Sequence, residues 1–259
     1  MWHRYVAVGD SFTEGMDDED PEAPDRFVGW ADRLAFALSE EAAGDFAYAN
    51  LAVRGRLLDD IVGPQLDTAL ALEPDLVSVV GGGNDLLRPR ADLDGLASRL
   101  EAAVVRIRAT GADVLLATPT DTRHAGVFRA LRGRHAVHTA NLFSIAGRHG
   151  CHVVNLWEMR AIQDWRMWAD DRIHLTTEGH RRVAQAALAA LGLDAGEAWR
   201  VPLPPAAPTT RIAELHSHGE WVRTHLTPWL QRRVTGRSSG DETMPKRPTL
   251  GPVHGSAPN

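Results

Sequence analysis

One rhythm constrains this chain more than anything else in it: short apolar runs of strand length alternate with longer stretches whose apolar residues return at helical spacing. Arg4 to Val8 reads as a strand, Phe27 to Ala43 as a helix, Phe46 to Val53 as a strand, Leu57 to Leu72 as a helix and Leu76 to Val80 as a strand. The pattern continues with a helix from Leu93 to Ala109, a strand from Asp113 to Thr118, a helix from Arg134 to His149 and a strand from Cys151 to Leu156. A last helix opens near Thr177, which with His180 does not complete a capping box, and runs through Val183, Ala187 and Leu191. Strands joined by helical crossovers are parallel, and their helices cover both faces of the sheet. The expected fold is therefore α/β, a three-layer α/β/α sandwich with a five-stranded parallel sheet.

The 259 residues, 44% of them apolar, suffice to bury one substantial core and leave an appendage. Composition changes after Trp199, where Val201-Pro202-Leu203-Pro204-Pro205 cannot continue a helix. The division expected is a catalytic domain over residues 1–200, a Pro-rich linker with an appended amphipathic helix over 201–235, and a tail over 236–259. The helical pattern of Ile212, Leu215, Trp221, Leu226 and Leu230 either docks on the domain or binds a partner. The tail is Gly, Ser, Pro and charge, and is expected to be disordered and dispensable for catalysis. A net charge of −6 offers no basic footprint, so nucleic acid is not an expected partner. No run reaches the roughly 18 consecutive apolar residues of a membrane span. The first residues hold no charged segment followed by an apolar one, so the expectation is a cytoplasmic protein. Cys151, the sole cysteine, cannot form an intrachain disulfide and reads as a small buried hydrophobe. Lys246 is the only lysine, a skew ascribed to codon composition.

Four short blocks carry the chemistry. Gly9-Asp10-Ser11 follows the first strand, which puts a hydroxyl at the carboxyl end of a parallel sheet, where open α/β proteins assemble their sites. By itself such a serine could simply satisfy local backbone groups. Asn50-Leu51-Ala52-Val53-Arg54-Gly55 breaks a strand-like run at a glycine, whose bare backbone N–H can approach a ligand or merely make a turn. Gly81-Gly82-Gly83-Asn84-Asp85 follows Leu76 to Val80; it lacks dinucleotide-binding spacing but offers the Asn84 amide, a donor that can face a developing oxyanion. Asp171-Arg172-Ile173-His174 separates carboxylate from imidazole by three residues, close enough for the carboxylate to hold Nδ1 and leave Nε2 for a serine proton. Asp170, four residues from His174, fits that role less well.

In this order the four blocks resemble those of the SGNH/GDSL hydrolase family over roughly residues 4–192, with nothing in the resemblance covering the tail. The resemblance implies a flavodoxin-like SGNH hydrolase fold and a serine esterase, acylhydrolase or deacetylase acting on a small-molecule ester, with no metal or organic cofactor. It implies that Ser11 is the nucleophile and first oxyanion donor, Gly55 and Asn84 the second and third donors, and Asp171 with His174 the acid and base. Arg54 departs from the pattern, a bulky residue just before Gly55 that bears on the shape of the pocket there. A binding module on a degenerate version of the fold, and acyl transfer to an alcohol, are the competing readings.

Other features compete for attention. Gly236-Arg237-Ser238-Ser239-Gly240 matches a nucleophile elbow literally, but no apolar strand precedes it. His216, His218 and His225 do not share a helix face, which argues against a metal. Asp17-Asp18-Glu19-Asp20 reads as a solvated loop that could line the pocket mouth. Trp165 and Trp168 form either an apolar wall near the site or plain core, and His180, Arg181 and Arg182 read as the start of a surface helix. The loops expected to shape the acyl and alcohol pockets are Glu14 to Arg26 and Arg88 to Asp94.

Overall fold

The structure, a computed structural model, describes residues 1–21, 23–206, 221, 223–224, 240 and 243–253. Its centre is the strand β1 (Arg4–Gly9), in which Tyr5, Val6, Ala7 and Val8 are all fully buried. A strand covered on both faces needs apolar residues at every position, which explains the unbroken run. Tyr5 and Ala7 face one core, Val6 and Val8 the other. The one polar atom this brings inside, the Tyr5 hydroxyl, lies 2.8 Å from Ser78 Oγ, so its hydrogen-bonding need is met within the sheet.

The hairpin β2 (Glu19–Asp20) and β3 (Ala23–Phe27) stands apart, and β4 (Ala47–Asn50), β5 (Leu76–Val80), β6 (Asp113–Ala117), β7 (His152–Val154) and β8 (Arg247–Pro252) join β1 in one sheet ordered β7-β6-β5-β1-β4-β8. All its pairs are parallel except β4 with β8. Among the parallel strands this is the flavodoxin-like order, whose direction reverses between β1 and β5. There Gly9 pairs with Val80, so Ser11 and the glycine block after Val80 leave the sheet side by side.

Helices α2 (Gly29–Glu41) and α8 (Thr177–Ala190) cover one face through Trp30, Leu34, Leu38, Val183 and Ala187. On the other face, α6 (Leu93–Arg108) and α7 (Arg132–His149) contribute Leu100, Val104, Leu142 and Ile145. Burying a Leu or Val completely stabilises the fold by about 1.5–3 kcal/mol relative to an exposed one, so these two layers set the architecture. Thr176 caps α8, its hydroxyl accepting from the Gly179 N–H at 3.3 Å. No helix of the described residues is long and apolar enough to cross a membrane.

Three expectations are corrected. The sheet has six strands, because Arg247–Pro252 adds to the open edge of β4 within the segment expected to be disordered. Its prolines lack N–H groups and are tolerated on an edge strand, Leu250 packs partly against the core, and the Arg247 guanidinium lies 5.3 Å over the Tyr48 ring as a cation–π contact. The expected helix from Leu57 to Leu72 is divided: α3 (Leu58–Asp60), a π-helical segment Ile61–Gln65 and α4 (Leu66–Ala71). Pro64 lies in the widened segment, where its missing N–H and its ring are accommodated. His180 is not on a surface face; it is 1% exposed, beneath the site. The literal G-x-S-x-G, apart from Gly240, and the His216, His218 and His225 set lie outside the described residues, as does most of the appended helix.

Candidate active site

Ser11 opens the short helix α1 (Ser11–Glu14), with the Asp10 carboxylate accepting from the Phe12 N–H at 3.1 Å as its cap. Gly9 is required by the packing: a Cβ there would lie 2.5 Å from Thr13 Oγ1 and 2.9 Å from the Val80 carbonyl. The π-helical segment sends Gln65 to the same point, its Oε1 accepting from the Gly9 N–H at 2.9 Å and its Nε2 donating to the Gly9 carbonyl at 3.0 Å. The backbone that delivers Ser11 is thus held on both sides.

The loop before α8 folds back on itself, bridging Trp168 to Leu175, with the Ala169 N–H donating to the His174 carbonyl at 2.9 Å. Asp171 Oδ1 accepts from the N–H groups of Ile173 and His174 at 2.9 and 3.0 Å. Its Oδ2 is thereby fixed 2.6 Å from His174 Nδ1, and His174 Nε2 lies 3.0 Å from Ser11 Oγ. In the neutral ring Nδ1–H donates to the carboxylate and Nε2 accepts from the hydroxyl, which is the tautomer proton transfer from a serine needs. Asp170 is exposed.

A second carboxylate, from the acidic run Asp17-Asp18-Glu19-Asp20, also faces this ring. Asp17 Oδ2 lies 3.3 Å from His174 Nδ1. Burial works against a charge on the imidazole, but hydrogen bonds and charges from Asp17 and Asp171 outweigh it and hold His174 up at about 9. Burial tends to raise Asp171 as well, and the bond from His174 overrides it and leaves that carboxyl lowered. Asp17, Asp171 and His174 bring potential metal-ligand atoms within 4.8 Å of one another. Both carboxylates, however, address Nδ1 itself, so the cluster is satisfied as an imidazole with two partners.

Asp17 adopts a left-handed backbone with φ 67°, held from behind. His180 Nδ1 accepts from the Trp30 N–H at 3.3 Å, which leaves Nε2–H to donate to the Met16 carbonyl at 3.3 Å. Burial pushes His180 down to about 4, so it stays neutral in this role. Asp18 is buried against Arg33 with bonds of 2.9 and 3.0 Å and accepts from the Gly29 N–H at 3.0 Å. It is a structural anchor and does not line the pocket mouth.

Asn84 sits in α5 (Gly83–Leu86), and its Nδ2 donates to Asp10 Oδ2 at 3.2 Å and to the Arg56 carbonyl at 3.0 Å. Burial pushes the Asp10 carboxyl up to about 6, against the pull of the Phe12 N–H and His174. Gly55 has φ 74° and lies between two anchored neighbours. Arg54 donates from its backbone N–H to Glu14 Oε2 at 2.7 Å and from Nε to Glu14 Oε1 at 3.0 Å, while its guanidinium sits 5.2 Å over the Phe27 ring. Neither Arg54 nor Gly55 lines the cavity beside Ser11, so the bulk of Arg54 is turned away from it.

That cavity, about 240 Å³, is bounded by Ser11, Asn84 and His174 together with Phe12, Leu87, Phe128, Ile162, Trp165 and Trp168. Most of its lining comes from the segments 118–138 and 156–174, the rest from residues 10–12 and 80–87, and no described residue of the loops 14–26 and 88–94 lines it. Trp165 and Trp168 are wall residues. Trp221 braces the loop from outside: its Nε1–H donates to the Asp171 carbonyl at 2.8 Å, and the Arg172 guanidinium lies 5.3 and 5.2 Å from the rings of Trp165 and Trp221.

A sequence model of the GDSL-like Lipase/Acylhydrolase family matches residues 7–182. No curated protein matches the chain. LAE5, an alpha/beta hydrolase enzyme from the metagenome of Lake Arreo, is 25% identical, is matched over 73% of this chain and 95% of its own, and has a TM-score of 0.62. A catalytic mutant of Axe2, an acetylxylan esterase from Geobacillus stearothermophilus, gives 18% identity, 76% and 97% coverage and a TM-score of 0.62. The psychrotrophic esterase EstA from Pseudoalteromonas sp. gives 17%, 73%, 97% and 0.58.

Proposed function

The chain belongs to the GDSL-like Lipase/Acylhydrolase family, and we propose that it cleaves carboxylic esters through an acyl-enzyme on Ser11. The observation that carries this reading is the contact of His174 Nε2 with Ser11 Oγ at 3.0 Å, on the wall of an apolar cavity, while Asp171 holds Nδ1 at 2.6 Å. His174 takes the hydroxyl proton as Ser11 attacks the ester carbonyl, and Asp171 stabilises the imidazolium that results. Asp17 adds a second, more exposed carboxylate to that stabilisation. The backbone N–H groups of Ser11 and Gly55 and the Asn84 amide serve the oxyanion, which requires Asn84 to exchange at least one of its resting partners, Asp10 or Arg56, for the developing charge. His174 then protonates the departing alcohol, and water attacks the acyl-enzyme by the same route in reverse.

The test is a fluorophosphonate probe, which mimics acyl attack at phosphorus. One adduct on Ser11 is expected by intact mass, and Ser11→Ala should take up none while losing about 10⁶-fold in kcat. An adduct at another serine, or turnover by Ser11→Ala near the parent rate, would overturn the assignment. Axe2 makes an acetyl ester the first substrate to try, and the apolar walls make longer acyl chains the second. A p-nitrophenyl ester series of increasing chain length separates them.

A further inference from the structure

The family match ends at residue 182, yet Gly240, Lys246 and β8 are built into the fold. Lys246 is the only lysine of the chain, and its ammonium is almost enclosed. Nζ donates to the carbonyls of Glu14 and Val28 at 2.6 Å each and of Phe27 at 2.9 Å, and it forms an ion pair with Asp32. Four acceptors around one ammonium take the place of most of its water, which a surface lysine held in place by chance would not achieve.

What Lys246 grips is the far end of α1, the helix that begins at Ser11. Glu14, whose carbonyl it holds, is the residue whose carboxylate fixes Arg54 through both backbone and side chain. Gly240 touches the same stretch: a Cβ there would lie 2.1 Å from the Arg54 carbonyl, and its own carbonyl accepts from the Arg56 guanidinium at 3.3 Å. The Arg56 carbonyl in turn accepts from Asn84. The Gly55 N–H and the Asn84 amide are therefore each one residue removed from this late segment, through Arg54 and Arg56, and Ser11 lies three residues before Glu14 in the helix whose end Lys246 holds.

We propose that Gly240, Lys246 and β8 form a clamp that sets the geometry of the oxyanion-binding backbone, with Lys246 as its principal positioning residue. The inference rests on the acyl-enzyme reading above and extends the catalytic unit beyond residues 1–200. Misplacement of a donor by about 1 Å can cost on the order of 10²-fold. Lys246→Ala should accordingly lower kcat by about 10- to 100-fold with KM changed less than about twofold, because the donors act on charge that appears only in the transition state. The atoms removed correspond to n-propylammonium, so adding that cation should restore part of kcat, whereas tetramethylammonium, with no N–H to offer the carbonyls, should not. A folded Lys246→Ala protein with kcat within about twofold of the parent would overturn the clamp.

A second measurement needs no variant. Coupling is reciprocal, so a phosphonate adduct on Ser11 that occupies the oxyanion site should tighten the clamp and slow modification of Lys246 by an amine-directed reagent, read by peptide mass spectrometry with the N-terminal amine as internal reference. Unchanged Lys246 reactivity in the adduct would sink the proposal even if Lys246→Ala fails to fold. A parent protein that takes up no phosphonate on Ser11 would instead remove the acyl-enzyme reading on which the clamp rests.

Discussion

Two turns bring carboxylates to His174, one from residues 170–175 and one from residues 15–18, and they are built in different ways. In the first, Asp171 sits three residues from the imidazole and binds the N–H groups of Ile173 and His174, so the geometry is written into one short segment. In the second, the Asp18 N–H closes the turn on the Gly15 carbonyl at 3.1 Å, but distant contacts decide where that turn carries Asp17. Its position follows from Met16 hanging on His180 and from Asp18 locked to Arg33 and Gly29, contacts that reach 164, 15 and 11 residues along the chain. The first turn holds its acid 2.6 Å from Nδ1 and 21% exposed; the second holds it at 3.3 Å and 38% exposed. The longer and wetter contact is the weaker one, since solvent screens it more.

If this ranking is right, Asp171→Asn has the largest effect. An Asn that keeps its oxygen on the two backbone N–H groups presents Nδ2 to the imidazole and forces the wrong tautomer, so kcat should fall by about 10⁴-fold at neutral pH. A loss of only about tenfold would mean that Asp17 can replace Asp171, and the comparison would fail. Next in size is Asp18→Asn, whose effect belongs to folding. Arg33 and Asp18 are both almost wholly buried, and removing one charge leaves the other unpaired at a cost of about 3–5 kcal/mol. Urea denaturation should show that loss, while Ser11 in the remaining folded protein reacts with the phosphonate at close to the parent rate. Near-parent stability would show that the second turn is held by something other than this pair.

The same contrast explains what could be read from the sequence. The parallel strands, the serine turn, the Asn84 block and the Asp171–His174 spacing each depend on a few consecutive residues and are legible there, although the strands read as Phe46 to Val53 and Cys151 to Leu156 are shorter in the structure. The sixth strand is not legible, because Arg247–Pro252 has no apolar run of its own and is recruited by the open edge of β4. Gln65 left only an indirect signal, Pro64 inside an otherwise helical stretch, which marks the π-helical segment that turns it toward Gly9. The loops 14–26 and 88–94 do not supply the cavity walls expected of them, because which loops rise beside β1 and β5 is decided by sheet order, not by local composition. From the sequence Lys246 reads as codon usage, and its four acceptors, more than 200 residues earlier, are what distinguish it in the fold.

The smallest effect, and the most diagnostic, is expected for Asp17→Asn. His174 stands at about 9 because two carboxylates outweigh its burial, so removing one must lower it toward the ordinary value of 6.5. In the proposed mechanism the base form is the active one, and the rising limb of the kcat/KM profile should therefore move to lower pH. On the alkaline plateau the variant should lose less than about tenfold, having lost only the weaker stabilisation of the imidazolium, yet near pH 7 it should equal or exceed the parent because more of its His174 is unprotonated. Stability gives an independent check. A histidine raised on folding contributes fully below 6.5 and loses that contribution as pH rises through about 9, so the parent's advantage in Tm over Asp17→Asn should be greatest below pH 6.5 and shrink across that window. Asp170→Asn, an equal change of charge at an exposed site in the neighbouring loop, should leave both the limb and the Tm difference where they are. If Asp17→Asn behaves like Asp170→Asn, the second turn does not act on His174, and the imidazole answers to Asp171 alone.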